Sequence, residues 1–243
     1  MSRCLNDWLE ITRKKREVVA IDGKTICGSR NDQHRAYHVV SAFVAENQLT
    51  LWEITVDEKS NEITAVPQLL DLIDVKGCIV TADAISCQKT IVEKIVENKT
   101  DHTIGLKLNQ PALFKDVRDY FDVFEKESAT TKSIEKGHGR IETREYFFLS
   151  DISWLEQRVD WCGLKSVGMV KSHVFKHVFK KENMRTDTRY FISSLTNINE
   201  FTSSVRKHWS IENQLHWCLD VIFREDSSRV RKDYSPLNMN VFS

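Results

Sequence analysis

Short apolar runs separated by polar breaks organise the first hundred or so positions of this chain. Residues 18–22 form one such run, which stops at Gly23. The stretch Tyr37-His-Val-Val-Ser-Ala-Phe-Val-Ala is rich in β-branched and aromatic residues and predicts a buried strand, and residues 49–56 predict a third. Polar connections holding Gly28, Asn31, Asp32, Glu46 and Asn47 suit an antiparallel meander. Apolar positions then take on helical spacing, with Ser60 or Asn61 as cap and Pro67 best accommodated in the first turns. Residues 77–82 predict a fourth strand, 88–97 an amphipathic helix and 102–108 a fifth strand.

Three strands followed by helix, strand, helix, strand is the order of a ribonuclease-H-like α/β domain, a mixed sheet with flanking helices whose later strands add in parallel. The rhythm changes at Asn109. A charged helix is predicted over 113–127, then strands over 137–149, 164–179 and 188–195. The last predicted helix spans 198–223, interrupted near Ser203 or Ser204, with Ile211, Leu215, Cys218, Leu219 and Ile222 as its apolar stripe. On the adjacent face His208, Glu212, His216 and Asp220 recur at every fourth position.

Composition narrows the function classes. With 35 basic and 35 acidic side chains the formal net charge is zero, so any grip on nucleic acid must be local rather than a bulk-charge effect. Neither a membrane span nor the apolar core of a signal peptide is present, and the expected location is cytoplasmic. The six cysteines form no C-x-x-C pair and read as free thiols.

Asp22 and Asp83 each close a predicted strand, and Glu212 lies within His208-Trp-Ser-Ile-Glu-Asn-Gln-Leu-His-Trp. Taken singly, each aspartate is an ordinary strand-end turn residue. Together the three acids offer the all-oxygen ligand set that a hard divalent cation prefers, the arrangement used in two-metal phosphoryl transfer. Asp22-Gly23-Lys24 adds a permissive backbone and a cation, and Thr81-Ala-Asp-Ala surrounds Asp83 with small neighbours. Spacing alone leaves Glu212 and Asp220 as alternatives for the third acid. A zinc site through His208 and His216 fits less well, because H-E-x-x-H is absent and Glu212 would crowd the ion. Basic groups cluster at Arg140 and Arg144, which flank Glu142, and at Arg224, Arg229, Arg231 and Lys232. Trp209 and Trp217 read as packing residues.

Six ordered blocks then carry a resemblance: Ala20-Ile-Asp-Gly-Lys-Thr, His38-Val-Val-Ser-Ala-Phe, Glu58-Lys-Ser-Asn-Glu-Ile-Thr-Ala, Gly77-Cys-Ile-Val-Thr-Ala-Asp-Ala, Gly137-His-Gly-Arg-Ile-Glu-Thr-Arg and His208-Trp-Ser-Ile-Glu-Asn-Gln-Leu-His-Trp. Together they resemble the ISAs-type transposases, which include the H-repeat-associated proteins. The resemblance implies a DDE transposase in which Asp22, Asp83 and Glu212 bind Mg²⁺ or Mn²⁺ as two ions, and it selects Glu212 over Asp220. It implies double-stranded DNA as partner, at element ends and target, and a homo-oligomer as the active form. Lys24, Arg140, Arg144 and Arg224 are the expected backbone contacts. The corresponding divisions are a basic lead-in (1–17), the first part of the core (18–108), a β-rich insertion (109–195) before the last catalytic helix, the Glu-bearing part (196–232) and a tail (233–243). Family members run longer at both ends, so the expectation extends to a truncated copy. The alternative is a catalytically silent DNA-binding or dimerising remnant.

Overall fold

β-branched runs form the sheet where they were expected. In the computed structural model, which describes residues 16–30, 35–56, 61–137, 140–178 and 181–228, β1 (Val18–Thr25), β2 (His38–Val44) and β3 (Leu49–Val56) make the antiparallel meander. β1 outlasts its apolar run because Gly23, Lys24 and Thr25 continue the ladder with β2 as far as Thr25↔His38. Helix α1 (Glu62–Leu72) crosses over to β4 (Ile79–Ala82), and α2 (Lys89–Glu97) to β5 (Asp101–Leu106). β4 pairs in parallel with both β1 and β5. Pro67 lies in the middle of α1 rather than in its first turns, which removes the N–H that would bond the Ile63 carbonyl.

Helix α3 (Pro111–Phe124) opens with its proline at the first turn, where a missing N–H costs nothing. Strands β6 (Ala129–Gly137), β7 (Arg140–Leu149), β8 (Ser166–Val178) and β9 (Lys181–Ser193) follow. They form no separate sheet. β9 pairs antiparallel with β5, giving nine strands in the order β3-β2-β1-β4-β5-β9-β8-β7-β6. β6 carries no apolar stripe, and its Ile134 is exposed.

The core lies on both faces of this sheet. α1, α2 and α3 cover one face through Leu69, Leu70, Ile91, Ile95, Val117 and Phe121. Helix α4 (Ile198–His208) covers the other through Phe201 and Val205, which pack with Val18, Ile79, Tyr146 and Phe148. Asn197 caps α4, its Oδ1 accepting from the Asn199 amide at 2.8 Å. The predicted interruption at Ser203 or Ser204 is not there. Ser204 is buried within α4, its hydroxyl bonded to the Phe201 carbonyl (2.8 Å) and to Thr103 (3.1 Å), and the break comes at Trp209.

After Trp209 the chain winds as a π-helix over Ile211–His216 and Cys218–Ile222. The Phe223 amide bonds the Cys218 carbonyl, five residues back, at 3.1 Å. Such winding puts more than four residues in each turn, against about 3.6 in an α-helix. Ile211 and Leu219 therefore both face inward, whereas Ile222, which α-helical spacing places on the same stripe, is rotated out and is 60% exposed. Trp217, expected to pack, is 52% exposed.

Phe201 sets a sharp packing test. A Cβ on Gly168 of β8 would meet the Phe201 ring at 2.1 Å, so the ring occupies the space that glycine leaves. Gly168→Ala is expected to destabilise the fold by about 1–3 kcal/mol through overpacking, read as a lower midpoint in urea. An unchanged midpoint would mean that the ring moves freely.

Candidate active site

Asp22 and Asp83 meet through the parallel register. The last paired residues of β1 and β4 are Ile21 and Ala82, and each aspartate follows its own partner by one position. Adjacent parallel strands lie roughly 4.8 Å apart, so the two carboxylates leave neighbouring strands, Asp83 just past the end of β4 and Asp22 within β1 where its pairing with β4 stops. Asp83 caps the short 3₁₀ turn at Ala84–Ser86, its Oδ1 accepting from the Ile85 amide at 3.0 Å. That bond to the backbone helps orient the carboxylate.

Glu212 comes from the π-helical segment packed on the same face, where Ile211 contacts Ala20 and Phe43. Its side chain is exposed. His216 and Asp220, four apart on the same segment, both turn toward β1. His216 Nδ1 lies 3.9 Å from Asp22 Oδ2, and Asp220 reaches Lys24.

The charges of the neighbouring acids are felt at Asp22. Asp22 is pushed up to about 7, chiefly by burial, with the Gly23 amide opposing the rise and the charges of Asp83, Glu212 and Glu62 adding to it. Burial lowers His216 to about 4, helped by Lys24 and opposed by Asp220. His208 is likewise lowered to about 4, by burial and then by Arg189 and His216. Both imidazoles are neutral at neutral pH, so the His216 contact with Asp22 is not an ion pair. His208 Nδ1 sits 3.1 Å from the Thr81 hydroxyl, two residues before Asp83.

Glu62 is an acid close enough to act on Asp22 that strand-end logic missed. It begins α1, is buried, and its Oε1 accepts from His38 Nε2 at 2.5 Å, while His38 Nδ1 lies 2.9 Å from the Thr25 hydroxyl. A Cβ on Gly23 would fall 2.4 Å from both Glu62 Oε1 and His38 Nε2. Glycine at 23 thus lets this buried pair press against the strand beside Asp22. The signal was the Glu58-Lys-Ser-Asn-Glu-Ile-Thr-Ala block, in which Glu62 reads equally well as a first-turn helix acid.

The cations expected to touch DNA are placed differently from one another. Lys24 is buried and bound by carboxylates, 2.5 Å from Glu225 and 2.7 Å from Asp220. Arg144 is also buried, 3.0 Å from Glu135 and 2.6 Å from Glu142, with its guanidinium 5.6 Å above the Trp209 ring; Arg189 lies over the same ring at 4.3 Å. Burial and pairing leave neither Lys24 nor Arg144 a solvent-facing charge. Arg224 is exposed. Arg140 starts β7 with its side chain outside the described part, and Arg229, Arg231 and Lys232 lie outside the described residues.

An oxygen-only set suits a hard divalent ion, and a partly protonated Asp22 crowded by three other acids is the condition that such an ion would relieve. Among the described residues, no three His, Cys, Asp or Glu side chains are drawn together tightly enough to hold an ion in this arrangement. Also among them, Cys27, Cys78, Cys87, Cys162 and Cys218 form no disulfide, and no helix is long and apolar enough to cross a membrane.

Known proteins share this framework. The chain is 36% identical over 239 residues to the "H repeat-associated putative transposase YhhI" of Escherichia coli K12, covering 94% of this chain and 63% of that protein. It is 40% identical over 229 residues to the "Putative transposase YncI" of Escherichia coli O157:H7, covering 89% of this chain and 57% of that one. The chain therefore spans about six tenths of the length of these relatives. Among solved structures, a piggyBac transposase synaptic complex with hairpin DNA superposes with a TM-score of 0.50 at 9% identity, covering 94% of this chain and 44% of that one, which establishes a shared ribonuclease-H-like fold. The transposase DDE domain model matches residues 13–234, which hold all nine strands of the sheet and both helical layers, and the chain belongs to that family.

Proposed function

We propose that this chain is the catalytic part of an insertion-sequence transposase that cleaves DNA strands and joins them to a target, with Asp22, Asp83 and Glu212 as the metal-binding acids. The observation that carries this reading is the placement of Asp22 and Asp83 one residue beyond the Ile21↔Ala82 pair, within the electrostatic reach of Glu212. Mg²⁺ or Mn²⁺, as two ions, would activate the attacking oxygen and stabilise the leaving one. Asp83, aimed by the Ile85 amide, and Asp22, fixed by the ladder to β2 opposite Ser41, are rigid ligands. Glu212, on a differently wound and more exposed segment, is the adjustable one.

The chemistry is attack on a phosphodiester, first by water at the element end and then by the freed 3′-hydroxyl on target DNA. Neutral His208 and His216 add no charge that would compete with a cation for the acids. Exposed Arg224 remains a candidate phosphate contact, and the active form is proposed to be a homo-oligomer on double-stranded DNA.

The test is incubation of the purified chain with a supercoiled plasmid carrying the DNA that flanks its coding sequence, with Mg²⁺ or Mn²⁺. Metal-dependent strand cleavage followed by joined products is the expected result. DNA binding without cleavage under either ion would favour a silent remnant instead.

A further inference from the structure

Lys24 stands two residues beyond Asp22 and, by the two-residue period of a strand, on the same face of β1. Its ammonium lies 2.5 Å from Glu225 Oε2, 2.7 Å from Asp220 Oδ1 and 3.8 Å from Asp226 Oδ1, and its side chain is 9% exposed. Asp220 belongs to the π-helical segment that carries Glu212, and Glu225 to the short turn after it. Arg224, with φ at +54°, bends the chain sharply between them and returns Glu225 to the buried ammonium.

A second contact closes beside the first. The Cys27 amide donates to Asp226 Oδ1 at 3.1 Å. At Gly28 a Cβ would fall 2.7 Å from the carbonyl oxygens of Glu225 and Ser228, so backbone meets backbone at a separation that only glycine allows. The end of β1 and the turn after it thus grip residues 220–228 at two points.

We propose that Lys24 is a positioning residue, a buried clamp that fixes the Glu212-bearing segment against the strand carrying Asp22, and not a contact to nucleic acid. To reach a phosphate, Lys24 would have to abandon buried carboxylates and leave them uncompensated, which costs more than a solvent-exposed phosphate contact returns. Its position between the two elements gives the clamp its purpose. The π-helical segment has few buried apolar anchors beyond Ile211 and Leu219, so a charged tie at its far end restrains how Glu212 is presented to Asp22. The inference rests on the reading that Asp22 and Glu212 serve one metal centre.

Lys24→Met separates a clamp from a DNA contact. Loss of a positioning residue is expected to lower the cleavage rate at saturating DNA roughly 100-fold, the scale of a 1 Å misplacement. It should also weaken Mn²⁺ binding measured without DNA, while leaving duplex affinity and its salt dependence as in the parent chain. Loss of a phosphate contact would instead weaken duplex binding and reduce the salt slope by about one, with the rate at saturation and Mn²⁺ affinity intact, and that result overturns the proposal. If Lys24→Met does not fold, Glu225→Gln loosens the same tie; an unchanged rate and unchanged Mn²⁺ affinity there overturn it equally. Asp83→Asn is measured alongside. If Asp83→Asn leaves Mn²⁺ affinity untouched, the metal reading of the acids fails; if it weakens Mn²⁺ binding and Lys24→Met does not, the clamp alone fails.

Discussion

Asp83→Asn is expected to lower metal-dependent strand cleavage by on the order of 10³-fold or more, equivalent to about 4 kcal/mol of transition-state stabilisation. The substitution isolates charge from shape. An asparagine Oδ1 can still accept the Ile85 amide that now bonds Asp83 at 3.0 Å, so the turn after β4 should keep its form. The negative charge beside Asp22 is lost. Because Asp83 is one of the charges that raise Asp22, its neutralisation should leave the metal-free protein as stable as before or slightly more so at pH 8, with Asp22 nearer its ordinary range. A rate near the parental value would remove Asp83 from the centre. A large fall in melting temperature would instead assign it a structural role through its cap.

The sheet was legible where one face is buried and opaque where it is not. β2 and β3 announce themselves because Val39, Val40, Phe43 and Leu51 are buried β-branched, aromatic or aliphatic groups. β6 passed unnoticed because Thr130, Lys132, Ile134 and Lys136 present no buried stripe, and the polar opening of β9 hid its length in the same way. Short-range signals also could not reveal that β9 pairs with β5, which makes one nine-stranded sheet of two apparently different regions.

At the site, residues attached to regular backbone were easier to find than residues defined by their partners. Asp22 and Asp83 follow apolar runs that any sheet would use, so their adjacency depends only on parallel register. Glu62 and Lys24 depend on tertiary approach: Glu62 packs against β1 over a glycine, and Lys24 is paired with Asp220 and Glu225, which arrive from the other end of the chain. A cation after Asp-Gly looks phosphate-directed until its partners are known. Period four on the last helix was visible in the sequence, but the π winding that carries it, and the contacts of His216 and Asp220 with β1, were not.

Asp22 makes metal binding and metal-free stability depend on pH in opposite senses. Its carboxyl is raised from 3.8 to about 7. Below 3.8 it is protonated in both folded and unfolded states; between 3.8 and 7 the folded protein keeps a proton that the unfolded chain has released. Its contribution to stability is therefore lost as pH rises through about 7, by at most about 4 kcal/mol for a shift of this size. His102, His208 and His216, each lowered to about 4 by burial, act the other way between about 4 and 6.5. The Asp22 effect is accordingly read as the difference between the parent chain and Asp22→Asn. A divalent ion must displace the same proton, so Mn²⁺ affinity is expected to be about tenfold weaker at pH 6 than at pH 8 and about a hundredfold weaker at pH 5, with proton release on binding near pH 7. Calorimetry in buffers of different ionisation enthalpy measures both quantities. Mn²⁺ affinity independent of pH over this range would show that Asp22 is not a ligand, and a stability difference from Asp22→Asn that does not grow between pH 4 and pH 7 would show that its proton is not held by the fold.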